Sequence, residues 1–574
     1  MHQALFFCFN DEQMADPEEK ISQTGRRRDT RRTVIELAII IAAILAVTLP
    51  FIGKPVHMDG IYFIDVAKAK MEEPWRDSVP DYDFAGYHVD RFRDTHPPLT
   101  AAYLAAVMSV TGGSNETVLH LSFVPFALLA GVAAYAIARR FVKNSLFATL
   151  LMVVAPGFVV MASDLMSDVP LMAFWLAAVA TYIYGVDRGS WRLLAAAAVF
   201  FTLALFTAYE ALALIPLLLL YAILTRRFNF GSVLPLAVVL ALFLGYLSVQ
   251  WLAFGEAPRL KTMSSQDVFG LGVIRFFPKT SSVLLFLGGT VIFPAAILAA
   301  FWPRRGQCGD YFTLVVFSAL APLFLWITQL APLGEALQMS FLLPPAGLLI
   351  WGIMARMNKW RGIPRHERSQ EPQWIFLGLW LGGILFYMAL ILYHASVKYL
   401  LPAYLPVTLL LADQAASRFR RRPLRMFQTA AVLSTAGLAL LVGTADFQLA
   451  AAWHDYAETK GAAAGGTGTV WYTGEFGFRY YMAQHGFRHL LADDNRPVAG
   501  DTIIQPFLPG SLPLAEELSH RVEFAGEQVL SGGIPVKIIN PPAGAGFYGD
   551  RWGPLPYSFS DRELDHIYVY RVTS

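Results

Sequence analysis

The residues best suited to chemistry lie in one stretch rich in acids and aromatics. It opens with His57-Met58-Asp59-Gly60-Ile61-Tyr62 and runs through Trp75, Tyr82, Tyr87, His88, Asp90, Arg91, Arg93 and Asp94 to Thr95-His96-Pro97-Pro98-Leu99. Carboxylates accept hydrogen bonds from sugar hydroxyls, and aromatic rings cover the C–H face of a sugar. Arg and His beside them suit a phosphate, whose oxygens take charge-assisted hydrogen bonds. Asp59 is the candidate base. It stands where a first apolar segment meets water, and partial desolvation raises a carboxylate pKa and makes it a better proton acceptor. Asp is also a favoured helix cap, so the sequence leaves Asp59 between a catalytic and a capping role.

Three further positions carry chemistry-bearing residues at the ends of apolar segments. Asp164 and Asp168 flank a short turn before Pro170; Asp168 is also well placed to cap the helix that follows. Tyr209-Glu210 sits in another such turn, where a boundary aromatic is the plainer reading. His394, Lys398 and Tyr399 occupy a third. Lys398 can snorkel to the interface or neutralise a phosphate. Arg259, Lys261, Arg275 and Lys279 line a loop over 254–281 and suit an anionic head group or an ordinary solvated loop equally.

What must position these residues is a membrane domain. The chain has 574 residues, 55% hydrophobic and only 15% charged, with a mean hydropathy of +0.46. Soluble domains carry about 25% charged residues. Apolar runs long enough to span a bilayer, roughly 17–25 residues, occur at 34–52, 118–138, 145–163, 168–186, 191–208, 209–225, 232–253, 282–302, 311–330, 336–355, 374–393, 397–415 and 426–446. That is about thirteen transmembrane helices. The run over 100–111 is too short and follows Pro97-Pro98, so it reads as an interfacial or re-entrant helix. With the N-terminus inside, the Arg and Lys knots at Arg139-Arg140, Arg188, Arg226-Arg227, Arg304-Arg305, Arg356 to Arg368 and Arg418 to Arg425 all fall on the inner side, as positive-inside placement requires. The first loop, 53–117, and all the candidate residues then face outward.

The expected architecture is therefore an all-α polytopic membrane protein. Residues 1–33 form a disordered basic tail, 34–446 the transmembrane domain, and 447–574 an extracytoplasmic α/β domain. Within that domain 467–473, 501–505, 536–539 and 566–571 read as strands and 476–485 as a helix; 461–468 reads as a flexible linker. Cys8 and Cys308 both fall inside, so no disulfide is expected. A net charge of +2 argues against a nucleic-acid partner. Walker A and paired His/Cys metal spacings are absent, and the inner loops are too short for a nucleotide site. Secondary transporters keep ionisable residues near the midplane; here they gather at the outer ends.

Taken in order, Asp59 with Tyr62, Asp94-Thr95-His96-Pro97-Pro98-Leu99, Ser167-Asp168-Val169-Pro170, Thr207-Ala208-Tyr209-Glu210-Ala211 and Lys398-Tyr399-Leu400-Leu401-Pro402 resemble the GT-C glycosyltransferases that use polyprenyl-phosphate sugars. The resemblance is to the bacterial branch holding the lipid A aminoarabinose transferase and the protein O-mannosyltransferase-like enzymes. It implies an inverting transferase in the bacterial inner membrane, with a polyprenyl-phosphate sugar as donor and a lipid, glycan or protein acceptor. Asp59 and Asp168 would be catalytic. Tyr62, Arg91, Arg93, Asp94, His96, Asp164, Tyr209, Glu210, His394, Lys398 and Tyr399 would bind substrate, with His96 and Lys398 on the phosphate. No cofactor is implied, although some members of the wider fold use a divalent cation. The chain departs from many relatives in having Gly60 rather than Glu after the first acid, His96 where some have Lys, and Tyr209 where some have Lys. The competing function is a lipid-linked sugar flippase or transporter; a ligase moving a whole glycan is a third reading. If His96 holds phosphate as a cation, donor binding weakens as pH rises past about 6.5, measurable as the donor Kd across pH.

Overall fold

The computed structural model describes residues 17–74, 83–84, 87–88, 96–254, 272–302, 308–362, 372–392, 394–463, 468–492, 494, 496–508 and 514–573. It is a helical membrane domain followed by a smaller α/β domain. Helices α1 (Pro17–Thr48), α2 (Gly60–Glu72), α3 (Leu99–Thr111), α4 (Glu116–Phe141), α5 (Ser145–Val153), α6 (Pro156–Ala162), α7 (Asp168–Arg188), α8 (Trp191–Thr207), α9 (Leu214–Leu224) and α10 (Phe230–Phe254) come first. Helices α11 (Gly272–Thr290), α12 (Pro294–Phe301), α13 (Cys308–Ile327), α14 (Leu333–Gly362), α15 (Pro372–Phe386), α16 (Leu401–Arg418) and α17 (Arg421–Ala463) follow.

Local signals set many of the boundaries. The Asn115 side chain caps α4 by accepting from the Val118 N–H at 3.1 Å. Gly112 and Gly189 end α3 and α7 in the left-handed conformation that glycine adopts without penalty. Pro156 sits in the first turn of α6, where a missing N–H is harmless, and the chain bends by 57° between α5 and α6.

Among the described residues seven helices are long and apolar enough to cross a membrane, or nine counting the bent pairs α5–α6 and α11–α12. The expected crossings at 191–208, 209–225, 311–330 and 397–415 are helical but shorter or less apolar. For α16 the reason is its C-terminal end: Leu401 through Ala412 are buried and mostly apolar, but Asp413, Gln414, Ser417 and Arg418 complete its 18 residues. The helix expected over 100–111 is α3, too short to cross, packed on α2. Residues 17–33, read from composition as a disordered tail, continue α1 instead, and Asp29 pairs with Arg139 at 2.9 Å.

Helix α17 departs most from expectation. It spans 43 residues, about 65 Å at 1.5 Å per residue, roughly twice the hydrocarbon thickness. The domain boundary placed at 447 falls inside it, and Gly461 to Ala463 are helical rather than linker; 464–467 lie outside the described residues. Beyond it come β1 (Val470–Tyr472), α18 (Phe476–Gln484), β2 (Arg488–His489), β3 (Thr502–Pro506), β4 (Val522–Leu530) and β5 (Asp565–Val572). They form one sheet in the order β2-β1-β3-β5-β4, parallel on the β1 side and antiparallel across β5. Strand β4 escapes the sequence pattern because it is an edge strand with mostly exposed residues and lacks strict alternation. Residues 536–540 pair outside this sheet.

A charged cluster sits between the two domains. Lys54 Nζ pairs with Asp164 and, at 2.7 Å, with Asp446; all three side chains are at most 1% exposed. His57 Nε2 lies 3.2 Å from Asp446. The Tyr548 hydroxyl, from the C-terminal domain, is 2.7 Å from Asp164 and 3.0 Å from Asp446. Burial alone would lower the Lys54 pKa, but the two carboxylates more than offset it and hold the ammonium above its ordinary value. Lys54→Met strands two buried carboxylates and is expected to cost about 3–5 kcal/mol. Tyr548→Phe removes one hydroxyl shared by charged acceptors and should cost about 1.5–3 kcal/mol. Thermal unfolding in detergent would rank them in that order below wild type.

Candidate active site

Asp59 lies at the turn between α1 and α2. The residue before it, Met58, has φ +46°, a left-handed backbone uncommon outside glycine. It is held there from both sides. The Met58 side chain is buried, and its neighbour His57 is part of the charged cluster. Asp59 makes no side-chain cap to α2. Its Oδ2 instead accepts a hydrogen bond from Lys398 Nζ at 3.0 Å. The geometry therefore goes against the capping role and joins two residues 339 positions apart.

Lys398 sits in a 3-10 turn, Val397–Leu400, just before α16. Burial alone would lower its pKa; Asp59, with Tyr399 and Asp168, reverses this and holds it well above the ordinary value. Asp168 opens α7 and lies within electrostatic reach of Lys398, Glu210 and Asp59. Glu210 belongs to the 3-10 turn Tyr209–Ala213. Lys398 thus faces two carboxylates, Asp59 and Asp168, with Glu210 within electrostatic reach of Asp168, and three different chain segments bring these acids together. Such a group can bind a hydroxylated ligand and take up a proton, while the ammonium answers an incoming anion.

One helical turn beyond Asp59, the Tyr62 ring packs at 5.3 Å from that of His96, and Phe63 lies 5.1 Å from it. The Tyr62 hydroxyl accepts from the His96 backbone N–H at 3.4 Å. His96 is therefore packed against the first turn of α2. The His394 and Tyr399 rings meet edge-on at 5.5 Å. Tyr209 is buried with its ring 5.8 Å from Phe243, as a packing aromatic would be. Asp164 differs from the expectation of substrate binding: both its oxygens serve Lys54 and Tyr548 in the buried cluster. Arg91, Arg93 and Asp94 lie outside the described residues. No group of three His, Cys, Asp or Glu side chains among the described residues converges to hold a metal ion.

Sequence reasoning missed Lys54, Asp446 and Tyr548. Asp446 alone carried a signal, as an acid at the very end of an apolar run. Lys54 reads as a flank of the first span, and Tyr548 belongs to a domain whose relation to the membrane helices the sequence does not encode.

Residues 95–251 match the family described as dolichyl-phosphate-mannose-protein mannosyltransferase, a stretch that includes His96, Asp164, Asp168 and Tyr209-Glu210. No curated protein sequence matches. Among solved structures the chain is similar to ArnT from Cupriavidus metallidurans bound to undecaprenyl phosphate, at 12% identity and TM-score 0.44, over 95% of this chain and 99% of that one. It is also similar to the oligosaccharyltransferase AglB from Archaeoglobus fulgidus in complex with an inhibitory peptide and a dolichol-phosphate, at 12% identity and TM-score 0.46, over 80% and 64%. A third is the S. cerevisiae Pmt1-Pmt2 complex bound to the sugar donor, at 16% identity and TM-score 0.31, over 39% and 34%. The family match supports the resemblance over the stretch that holds the His96-Pro97-Pro98, Asp168 and Tyr209-Glu210 motifs; the Asp59 and Lys398 motifs lie outside it.

The ion pair makes a direct test. Asp59→Asn removes the largest influence holding the Lys398 ammonium charged, so its pKa falls. Only the neutral amine reacts with acylating reagents. Mass spectrometry should therefore find Lys398 labelled faster at pH 9 in the variant than in wild type.

Proposed function

We propose that this chain, a membrane glycosyltransferase of the GT-C type, moves one sugar from a polyprenyl-phosphate carrier to an acceptor hydroxyl at the outer face of a bacterial plasma membrane. The observation that carries the reading is the Asp59–Lys398 pair, with Asp168 within electrostatic reach of both and Glu210 within reach of Asp168. The family whose model matches residues 95–251 is described by a dolichyl-phosphate sugar donor, and this supports a lipid-phosphate donor here.

The reaction is a single displacement. The acceptor oxygen attacks the anomeric carbon, a new C–O bond forms, and the bond from that carbon to the phosphate oxygen breaks with inversion. The acceptor proton passes to Asp59, and polyprenyl phosphate leaves with the bonding electrons. In the resting site the Asp59 carboxylate is engaged by the Lys398 ammonium. An arriving phosphate competes for the ammonium, so donor binding releases the carboxylate to act as base. Lys398 then sits where negative charge grows on the leaving phosphate, the position at which electrostatic stabilisation acts most strongly. Asp168 and Glu210 hold sugar or acceptor hydroxyls. Arg91, Arg93, Asp94 and His96 are the candidates for the rest of the donor pocket.

Asp59→Asn should lower turnover of a lipid-linked sugar by roughly a hundredfold or more while donor binding persists. Lys398→Ala should instead weaken the binding of undecaprenyl phosphate about tenfold or more. Both are measured on purified protein in detergent against a panel of polyprenyl-phosphate monosaccharides. Full activity of Asp59→Asn sinks the role given to Asp59. Sugar movement across a vesicle bilayer without turnover favours a flippase.

A further inference from the structure

The turn that carries Lys398 is not held by the membrane helices alone. Its entry is tied by Lys279, whose Nζ donates to the Leu392 carbonyl at 2.7 Å. Its middle is gripped by the C-terminal domain. The Ala395 N–H donates to Asp550 Oδ1 at 2.9 Å, and the Asp550 N–H donates back to the Ala395 carbonyl at 2.9 Å. The Phe547 carbonyl accepts from the Val397 N–H at 2.9 Å and from Ser396 Oγ at 3.3 Å. Three consecutive residues leading to Lys398 therefore take their backbone partners or hydroxyl acceptor from one short segment of the other domain.

That segment is rigid. Gly546 donates to the Leu555 carbonyl at 2.8 Å, and Leu555 donates to that of Gly544 at 2.9 Å. A Cβ on Gly546 would meet the Gly553 and Gly549 carbonyl oxygens at 2.2 and 2.5 Å, and one on Gly553 would meet the Gly544 carbonyl oxygen at 2.2 Å. Only glycine fits these backbone crossings. The segment is further anchored by Tyr548 in the charged cluster. The same domain also braces the other half of the pair. The Tyr481 hydroxyl accepts from the Val56 N–H at 2.6 Å. A Cβ on Gly477 would meet the Val56 carbonyl oxygen at 2.2 Å, so helix α18 touches the backbone three residues before Asp59.

We infer that the C-terminal domain is a working part of the transfer site, and that Asp550 is a positioning residue that sets Lys398 against Asp59 and the donor phosphate. The inference rests on the phosphate-binding role proposed for Lys398. In Asp550→Ala the buried Ala395 N–H loses its acceptor and the turn loses half of its reciprocal pair. Asp550→Asn keeps an oxygen in the same place.

The test uses the full-length protein in detergent, with undecaprenyl phosphate as the probe and two readouts. The first is the probe's Kd in Asp550→Ala, Asp550→Asn, Lys398→Ala and the Asp550→Ala/Lys398→Ala double variant. Asp550→Ala should weaken binding about tenfold, Asp550→Asn should restore it to within twofold, and Asp550→Ala should add nothing once Lys398 is gone. The second is the acylation rate of Lys398 at pH 9, which should rise in Asp550→Ala and not in Asp550→Asn. Unchanged Kd and unchanged labelling in Asp550→Ala overturn the inference. So does an equal loss of binding with and without Lys398, which would mark Asp550 as merely structural. If Lys398→Ala binds the probe like wild type, the phosphate role fails by itself, and the labelling rate still decides whether Asp550 positions the lysine.

Discussion

A single lysine with no contact to water, Lys54, is the constraint on which the arrangement turns. A charge in that position is tolerable only with compensating carboxylates in good geometry. Asp164 comes from the turn between α6 and α7, Asp446 from the middle of α17, and Tyr548 from the C-terminal domain. Satisfying one ammonium therefore fixes three parts of the chain against the end of α1. His57, packed edge-on to Tyr548 and against Trp453, carries the constraint forward to the strained Met58 and so to Asp59.

The Asp59–Lys398 pair is a second, less enclosed version of the same device. Lys398 and Asp59 are 11% and 28% exposed in their side chains, against nearly complete burial for the Lys54 cluster. The difference separates their uses. A pair sealed from solvent and saturated with partners holds elements together. A pair that a ligand can reach, with further carboxylates nearby, can be opened by an anion. Asp164 and Asp168 show how few residues separate the two cases. They lie four positions apart, yet one serves the closed cluster and the other faces the open one.

The C-terminal domain links both. Its sheet stands beyond the C-terminal part of α17, whose Trp453 donates to the buried Asp565 at 2.9 Å. Its glycine-bound segment reaches the Lys398 turn, while α18 reaches the Asp59 turn. The small residues matter because close backbone approach, rather than side-chain packing, makes these contacts.

Hydropathy and charge in the sequence were enough to determine a polytopic helical domain, the short helix over 100–111 and a separate α/β tail. They do so because the bilayer demands long apolar helices and leaves little alternative. Motif order was enough to single out Asp59, Asp168, Glu210, His96 and Lys398, since each lies at the end of an apolar run where charge needs a reason. Tertiary structure alone decided that Asp59 pairs with Lys398 rather than capping α2, and that Asp164 is sealed in the core. It alone joined Lys54, Asp446 and Tyr548. Those outcomes depend on distances between residues hundreds of positions apart, and on backbone contacts at Gly477, Gly546 and Asp550. Local pattern carries information about which face of a helix is apolar; it carries none about which distant backbone will lie against it.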